Sequence, residues 1–259
     1  MRLSLRSVVS RGLLTWLVIP AAMIAAPAAS APEPRRDHAA VFLSSGDALF
    51  AGGERGDHVL AQAEVWRRLE GRFVTVGTMA VPRAGHTATL LRSGTVLVTG
   101  GRNASGPLAS TELYDSQSFR LGPALQRARH GHAALLLEDG RVVLLGGDAE
   151  GTVEILDPVT GESTLLASRL ASARSRHAAI ALDAPTILVA GGVVDGAVSR
   201  TAEIFSINAG SLVPEIPMGA ARTAPRLRRL SDGIIQVSGG DGEESIEVFN
   251  SERHYFTAV

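Results

Sequence analysis

The 259-residue sequence contains no cysteine, which excludes disulfides, thiolate catalysis and cysteine-ligated metal sites. It also contains no lysine, so all 25 basic residues are arginine. The net charge is −1, which gives no basis for binding nucleic acid or an anionic membrane. Aromatic residues make up only 4% of the chain. With 28 glycines, the composition is typical of a turn-rich chain, and the length allows one large all-β domain or two small domains.

Residues 1–31 have the pattern of a secretory signal peptide. Three arginines precede an apolar run, Leu13–Ala26, and small residues follow it to Ala31. We expect cleavage after Ala28 or Ser30, and a secreted or periplasmic product with no membrane association. The alternative is an uncleaved membrane anchor, although the run is short for a span of about 20 residues and Pro20 interrupts it.

A diglycine follows an apolar run five times, at intervals of 48, 46, 45 and 48 residues. Repeats of this length indicate an array of similar structural units. The five diglycines are Gly52-Gly53, Gly100-Gly101, Gly146-Gly147, Gly191-Gly192 and Gly239-Gly240.

Other residues keep a fixed distance from the diglycine, which makes the repeat secure. Fourteen residues before four of the diglycines is a histidine, and the fifth repeat has Pro225 there: His38, His86, His132, His177. Three residues before each of these positions is an arginine: Arg35, Arg83, Arg129, Arg174, Arg222. After each diglycine comes a glutamate: Glu64, Glu112, Glu154, Glu203, Glu247.

Each repeat predicts four short strands. In the second repeat, His86–Leu91 and Thr95–Thr99 are apolar or β-branched runs separated by a glycine turn, and Thr111–Tyr114 follows a variable loop. A four-stranded antiparallel sheet repeated at this period is the unit of a β-propeller. The sequence therefore predicts an all-β fold, a β-propeller of about five four-stranded blades. A β-sandwich would not explain five copies of the same pattern.

These features resemble the kelch repeat, most clearly in Arg83–His86, Val96–Gly101 and Glu112–Asp115. The resemblance implies a kelch β-propeller over residues 32–259. It departs from the family where Phe or Leu replaces the outer-strand tryptophan. The implied repeats lie near residues 33–80, 81–126, 127–171, 172–219 and 220–259.

Family rings more often hold six or seven blades, and this chain has five repeats. Each repeat begins with its first strand and ends with its outer strand, so no strand is left to join the termini in one sheet. Either the ring closes by face packing alone or the blades form an arc. We favour a closed or nearly closed ring.

The repeated charged residues invite a functional interpretation, since four histidines could converge on a metal ion. Residues that obey the repeat are more simply structural. We therefore predict that each arginine–histidine pair caps the first strand and hydrogen-bonds across blades, and that the arginines and glutamates form inter-blade ion pairs. No metal site and no cofactor are predicted.

The loops after the diglycines vary, and variable loops on a rigid frame are where binding sites commonly lie. They should gather at one end of the sheets. Their polar residues are the predicted binding residues: Glu54, Asp57, His58, Arg102, Asn103, Asp148, Asp195, Arg200, Asp241 and Glu244.

The sequence contains no nucleophile elbow, phosphate-binding loop or zinc-binding helix motif, and we assign no catalytic residue. We therefore predict a scaffold that binds a protein or a carbohydrate. The alternative is a carbohydrate-active enzyme of the epimerase or mutarotase type, with an arginine and a glutamate in a central channel. A third hypothesis is a purely structural role.

Overall fold

The computed structural model of the chain describes residues 34–231, 233–240, 242 and 244–259. All regular elements in this part of the chain are β-strands. None of the described residues form a helix that is long and apolar enough to cross a membrane. The predicted signal peptide, residues 1–31, lies outside the described residues, as does Asp241.

The main strands form five antiparallel four-stranded sheets, each from consecutive parts of the chain. The first sheet contains Ala39–Phe42, Ala48–Ala51, Gln62–Arg67 and Arg72–Thr78. The second contains Thr87–Leu90, Val96–Thr99, Thr111–Tyr114 and Phe119–Leu121. The third contains Ala133–Leu136, Val142–Leu145, Thr152–Leu156 and Ser163–Arg169. The fourth contains Ala178–Asp183, Thr186–Ala190, Thr201–Ser206 and Gly210–Pro217. The fifth contains Arg226–Ser231, Ile234–Ser238, Ile246–Asn250 and Tyr255–Ala258.

Three of the loops between second and third strands carry a short hairpin of their own. These hairpins extend from the end of the sheets at which the diglycines lie, which we call the loop end. Their strands are Glu54–Arg55 with His58–Val59, Arg102–Asn103 with Gly106–Pro107, and Val193–Val194 with Ala197–Val198.

The second and third strands of the second, third and fourth sheets are buried on both faces, as their continuous apolar sequences predict. In the second sheet Val96, Leu97 and Val98 have no exposed surface, and Leu97 pairs with Leu113. Alternate residues of a strand point to opposite faces, so each sheet contributes one set of side chains to each neighbour. Val96 and Val98 belong to the core shared with the first sheet, and Leu97 to the core shared with the third.

Four apolar cores join the sheets in sequence order, first to second, second to third, third to fourth, and fourth to fifth. Burial of this apolar area is the main stabilising contribution, at about 25 cal/mol per Å². Within the described residues, no such core joins the fifth sheet to the first.

The diglycines allow neighbouring sheets to approach closely. Gly101 donates a backbone hydrogen bond to the carbonyl oxygen of Arg129 in the next sheet, at 2.8 Å. Gly100 has a φ of +59°, and a Cβ added there would lie 2.6 Å from the same oxygen. Gly239, at the same position in the fifth sheet, has a φ of +67° but no atom within 4 Å of such a Cβ. The two glycines therefore share a backbone conformation and differ in their neighbour.

We expect Gly100→Ala to lower the free energy of unfolding by about 2 kcal/mol more than Gly239→Ala. Both substitutions carry the cost of a left-handed conformation, about 1–2 kcal/mol, but only Gly100→Ala forces two sheets apart, which costs about 1–3 kcal/mol more. Urea unfolding of the two variants measures the difference. Equal losses would show that the close approach contributes nothing.

Candidate functional site

Each repeated arginine is buried and joins the second and third strands of its own sheet. Arg83 donates to the carbonyl oxygens of Gly100 at 2.7 Å and Ser110 at 3.0 Å, and to Glu112 at 2.9 Å. Neither Arg83 nor Glu112 has an exposed side chain. The guanidinium thus holds the end of the second strand against the start of the third.

The same ion pair recurs in every sheet, and each arginine contacts the glutamate of its own repeat. The prediction of inter-blade pairs was wrong, because the guanidinium reaches the neighbouring strand of its own sheet before any other sheet. The remaining pairs are Arg35–Glu64 at 2.5 Å, Arg129–Glu154 at 2.7 Å, Arg174–Glu203 at 3.3 Å and Arg222–Glu247 at 3.0 Å.

Each glutamate from the second sheet onwards also holds the segment that arrives from the preceding sheet. The backbone N–H groups of Ala80 and Val81 donate to Glu112 at 2.8 and 3.1 Å. Ala171 donates to Glu203 in the same way, at 2.8 Å. These carboxylates are therefore buried and engaged by backbone N–H groups, which leaves them unsuited to contact a ligand.

Burial changes the proton affinity of these pairs. Desolvation lowers the pKa of Arg83, although the hydrogen bond and charge of Glu112 oppose it. Desolvation likewise raises the pKa of Glu203, against the hydrogen bond from Ala171 and the charge of Arg174. The shifts follow from the cost of holding charge away from water, so they do not single out a catalytic group.

Three of the repeated histidines, His86, His132 and His177, lie between sheets. Nε2 of His132 lies 3.0 Å from the hydroxyl of Thr87 and 3.1 Å from that of Thr99, both in the second sheet. This contact joins two neighbouring sheets, whereas the ring nitrogens of His86 and His177 have no hydrogen-bond partner among the described residues. Burial is the main cause that lowers the pKa of His86 to about 3, and it also lowers the pKa of His132 well below its usual value. Among the described residues, no three histidine, aspartate or glutamate side chains are placed to hold a metal ion.

At the loop end a row of backbone hydrogen bonds links all five sheets. Gly85 donates to Asp37, Gly131 to Gly85, Arg176 to Gly131, and Ala224 to Arg176, at 2.5–2.8 Å. All five residues have φ between +47° and +63°. They occupy the position just before the repeated histidine, or before Pro225 in the fifth sheet. The side chains beside this row come both from the variable loops and from the positions between the repeated arginine and the repeated histidine.

One cluster of charged residues beside the row is not repeated. Glu54 is 5% exposed, and it forms ion pairs with Arg36 at 3.2 Å and with Arg102 of the second sheet at 2.5 Å. The arginine side chains are 73% and 41% exposed. The corresponding position to Glu54 is Asp148 in the third repeat and Val193 in the fourth. The structure thus brings together two predicted residues, Glu54 and Arg102.

Two further residues belong to this charged cluster. Burial and the charge of Arg102 lower the pKa of His130, and the charge of Asp37 opposes them. Nδ1 of His130 is buried and has no hydrogen-bond partner among the described residues. The charged cluster therefore combines two accessible guanidiniums, two carboxylates and an imidazole that is neutral at physiological pH.

The other predicted residues are spread along the loops. Asp57, His58, Asp195 and Glu244 are exposed, and within the described part of the chain their side chains form no hydrogen bond or ion pair. They are the side chains available to a ligand that contacts the rim of the loop end.

Three predicted residues instead stabilise their own loops. Asn103 Oδ1 accepts from the N–H of Ser105 at 2.9 Å, and Asp148 Oδ1 accepts from the N–H of Thr152 at 2.9 Å. Arg200 donates to the carbonyl oxygen of Met218 at 3.2 Å. Their polar atoms have structural roles.

Sequence reasoning missed Arg36, Asp37 and His130. They lie between the repeated arginine and the repeated histidine. The prediction selected residues from the variable loops and therefore did not include these positions. Their signal is variation: the residue after the repeated arginine is Arg36, Ala84, His130, Ser175 or Thr223. Chemically diverse residues inside an otherwise regular segment mark positions that the fold does not constrain.

No protein-family model matches the sequence, and no curated protein matches it either.

Proposed function

We propose that the chain is a kelch-type β-propeller in which the five four-stranded sheets are the blades. The consecutive cores, the diglycine contacts and the row of hydrogen bonds at the loop end support this arrangement. Of the two arrangements that the sequence leaves open, the contacts favour an arc of blades over a closed ring. Among the described residues Gly239 meets no neighbouring sheet, whereas Gly52, Gly100, Gly146 and Gly191 all do.

We further propose that this propeller is exported and binds a protein or a carbohydrate at its loop end. One observation carries the proposal: the charged residues required by the repeat are buried in ion pairs within their own sheets, and charged residues that vary are accessible at one end. Arg83 and Arg129 are 0% exposed, whereas Arg36 and Arg102 keep much of their surface in water. A rigid frame with variable polar loops is suited to recognition.

The chemistry of the loop end favours a polar, uncharged or mixed-charge ligand. The charged cluster offers guanidinium donors from Arg36 and Arg102 and a carboxylate acceptor from Asp37, while the buried Glu54 holds the two arginines in place. Such a mixture matches the hydroxyl groups of a glycan or a polar peptide segment better than a uniformly charged polymer.

Substituting the accessible loop residues tests this function. We expect Asp57→Ala combined with His58→Ala, and Asp195→Ala combined with Glu244→Ala, to weaken ligand binding at least tenfold, because their exposed side chains make no internal bond. Binding is measured on a glycan array and by capture from envelope extract, with melting temperature as a check on folding.

Glu138→Ala and Glu162→Ala are the matched controls, since both are exposed at the opposite end of the sheets. We expect them to leave binding unchanged. Binding that survives both loop variants, or that the controls reduce equally, would contradict the loop-end proposal.

A second candidate function is a carbohydrate-active enzyme, favoured by one observation, the half-buried His130 beside Arg102, whose pKa is lowered mainly by burial. A neutral imidazole can accept a proton from a sugar carbon or hydroxyl. Turnover on a panel of sugars that is lost in His130→Gln, with binding retained, would select this function over simple binding.

A further inference from the structure

The charged cluster contains two arginines that share one buried carboxylate. Oε2 of Glu54 lies 3.2 Å from Nε of Arg36, and Oε1 lies 2.5 Å from a terminal nitrogen of Arg102. Arg36 precedes the first sheet, and Arg102 lies in the loop hairpin of the second repeat. Glu54 therefore holds two like-charged guanidiniums from different repeats close together, although they would repel each other without it.

Most of the donors on these two arginines are free to contact a ligand. A guanidinium has five N–H donors, and among the described residues the side chains of Arg36 and Arg102 pair with Glu54 alone. The arginine side chains are 73% and 41% exposed, whereas Glu54 is 5% exposed. A ligand that approaches from the water therefore meets the guanidiniums and not the carboxylate beneath them.

A second pair of arginines at the loop end shows what distinguishes the first pair. Arg127 and Arg169 both pair with Glu150, at 3.2 and 2.8 Å. The side chain of Glu150 is 39% exposed, so its negative charge faces the water from which a ligand arrives. An anionic group would be repelled by this exposed carboxylate, whereas the buried Glu54 leaves only positive charge at the surface of its pair.

The neighbours of Arg102 limit the charge that the ligand can carry. The half-buried His130 lies close enough to Arg102 and Asp37 for both charges to act on its pKa, in opposite directions. Asp37 adds a second carboxylate, so the charged cluster has two positive and two negative groups while His130 is neutral. This balance disfavours a ligand with many acidic groups. It suits one acidic group, for the guanidiniums, among hydroxyls that can donate to Asp37.

We propose that Arg36 and Arg102 together bind the carboxylate of an acidic sugar unit. The inference rests on the proposed loop-end function and specifies the chemistry of its ligand. A planar carboxylate matches the fork of guanidinium donors, and it would face the two arginines from the water as Glu54 does from the interior. Because Glu54 already holds both side chains, binding restricts them less than it would restrict two mobile arginines.

Calorimetric titration of the full chain tests the site with two matched ligands: a disaccharide that carries one glucuronate, and the same disaccharide with its carboxyl group reduced to an alcohol. We expect the glucuronate form to bind at least about tenfold more tightly, because hydrogen bonds between charged groups add about this factor. We expect Arg36→Gln and Arg102→Gln each to remove the preference. Arg127→Gln is the matched control and should keep it, and melting temperatures show whether each variant is folded.

Chemical modification gives a second readout that needs no substitution. Phenylglyoxal reacts with accessible guanidiniums, and mass spectrometry of the digested protein locates the modified arginines. We expect glucuronate to protect Arg36 and Arg102 and to leave Arg127 and Arg169 reactive. Such protection, in a chain that captures no larger ligand, would support the carboxylate site and count against the broader loop-end function.

Three results would overturn the proposal. The first is equal binding of the two disaccharides, and the second is a preference that both arginine variants retain. The third is an acidic peptide that binds more tightly than the glucuronate form, since the ligand would then be a protein. Any of these results, together with ligand binding that the substitutions at Asp57 and His58 weaken, would leave the loop-end function standing without the carboxylate site.

Discussion

Lowering the pH from 7 to 4.5 is expected to remove at least about 5 kcal/mol from the free energy of unfolding, which is comparable to the whole stability of a marginally stable domain. The cause is the set of three histidines buried between sheets, His86, His132 and His177, which are 3–6% exposed. Burial lowers the pKa of His86 and of His177 to about 3, from an ordinary value of 6.5. Burial acts on His132 in the same direction.

The sign follows from where the protons bind. Above pH 6.5 each histidine is neutral in both the folded and the unfolded chain, so the stability is independent of its titration. Between pH 6.5 and about 3 the unfolded chain binds a proton that the folded chain excludes. Each histidine then lowers the free energy of unfolding by about 1.4 kcal/mol for each unit of pH.

Urea unfolding at several pH values between 7 and 4.5 measures this slope. We expect His177→Gln to reduce the slope by about 1.4 kcal/mol per pH unit, because glutamine does not titrate. His58→Gln is the control, since His58 is exposed in a loop hairpin, and it should leave the slope unchanged. A free energy of unfolding that stays constant from pH 7 to 5 would contradict the burial of neutral histidines.

Replacing Glu154 with glutamine is expected to cost about 3–5 kcal/mol of stability. The side chains of Glu154 and Arg129 are both 0% exposed and lie 2.7 Å apart. Glutamine keeps the shape but removes the negative charge, which leaves the Arg129 guanidinium in the interior without a counter-ion. Arg129 cannot lose its proton to escape this cost.

A matched substitution lies four residues away. Glu150 forms ion pairs with Arg127 at 3.2 Å and Arg169 at 2.8 Å, but its side chain is 39% exposed. Because water screens exposed ion pairs, we expect Glu150→Gln to change the free energy of unfolding by less than about 1 kcal/mol. Equal effects of the two substitutions would show that burial does not set the strength of the repeated pair.

The sequence predicts the four-stranded sheets well, because the same order of apolar runs, turn residues and diglycine occurs five times. The predicted strand Thr111–Tyr114 has the bounds that the structure gives it, and the predicted strand Thr95–Thr99 differs by one residue. The position of Gly100 requires glycine for the reason that the repeat suggests. Its backbone lies so close to the next sheet that a Cβ would not fit.

The pairing of the repeated charges could not be predicted from spacing. Arg83 lies 29 residues from Glu112, and the sequence does not tell whether the guanidinium turns toward its own sheet or toward a neighbour. The charged cluster at the loop end was predicted only in part. Glu54 and Arg102 lie in variable loops and were selected, whereas Arg36 and His130 lie inside a regular segment and were not.

If the repeated charged residues stabilise the fold and the variable loop residues do not, two sets of substitutions should differ in the free energy of unfolding. Measuring this free energy for both sets is the most direct test. We expect Glu112→Gln, Glu154→Gln and Glu247→Gln each to lower it by several kcal/mol. We expect Asp57→Ala, Asp195→Ala and Glu244→Ala each to change it by less than about 0.5 kcal/mol. If a single glutamate carried the whole effect, or if the loop substitutions were equally costly, the repeated charges would not be the common structural frame inferred for them.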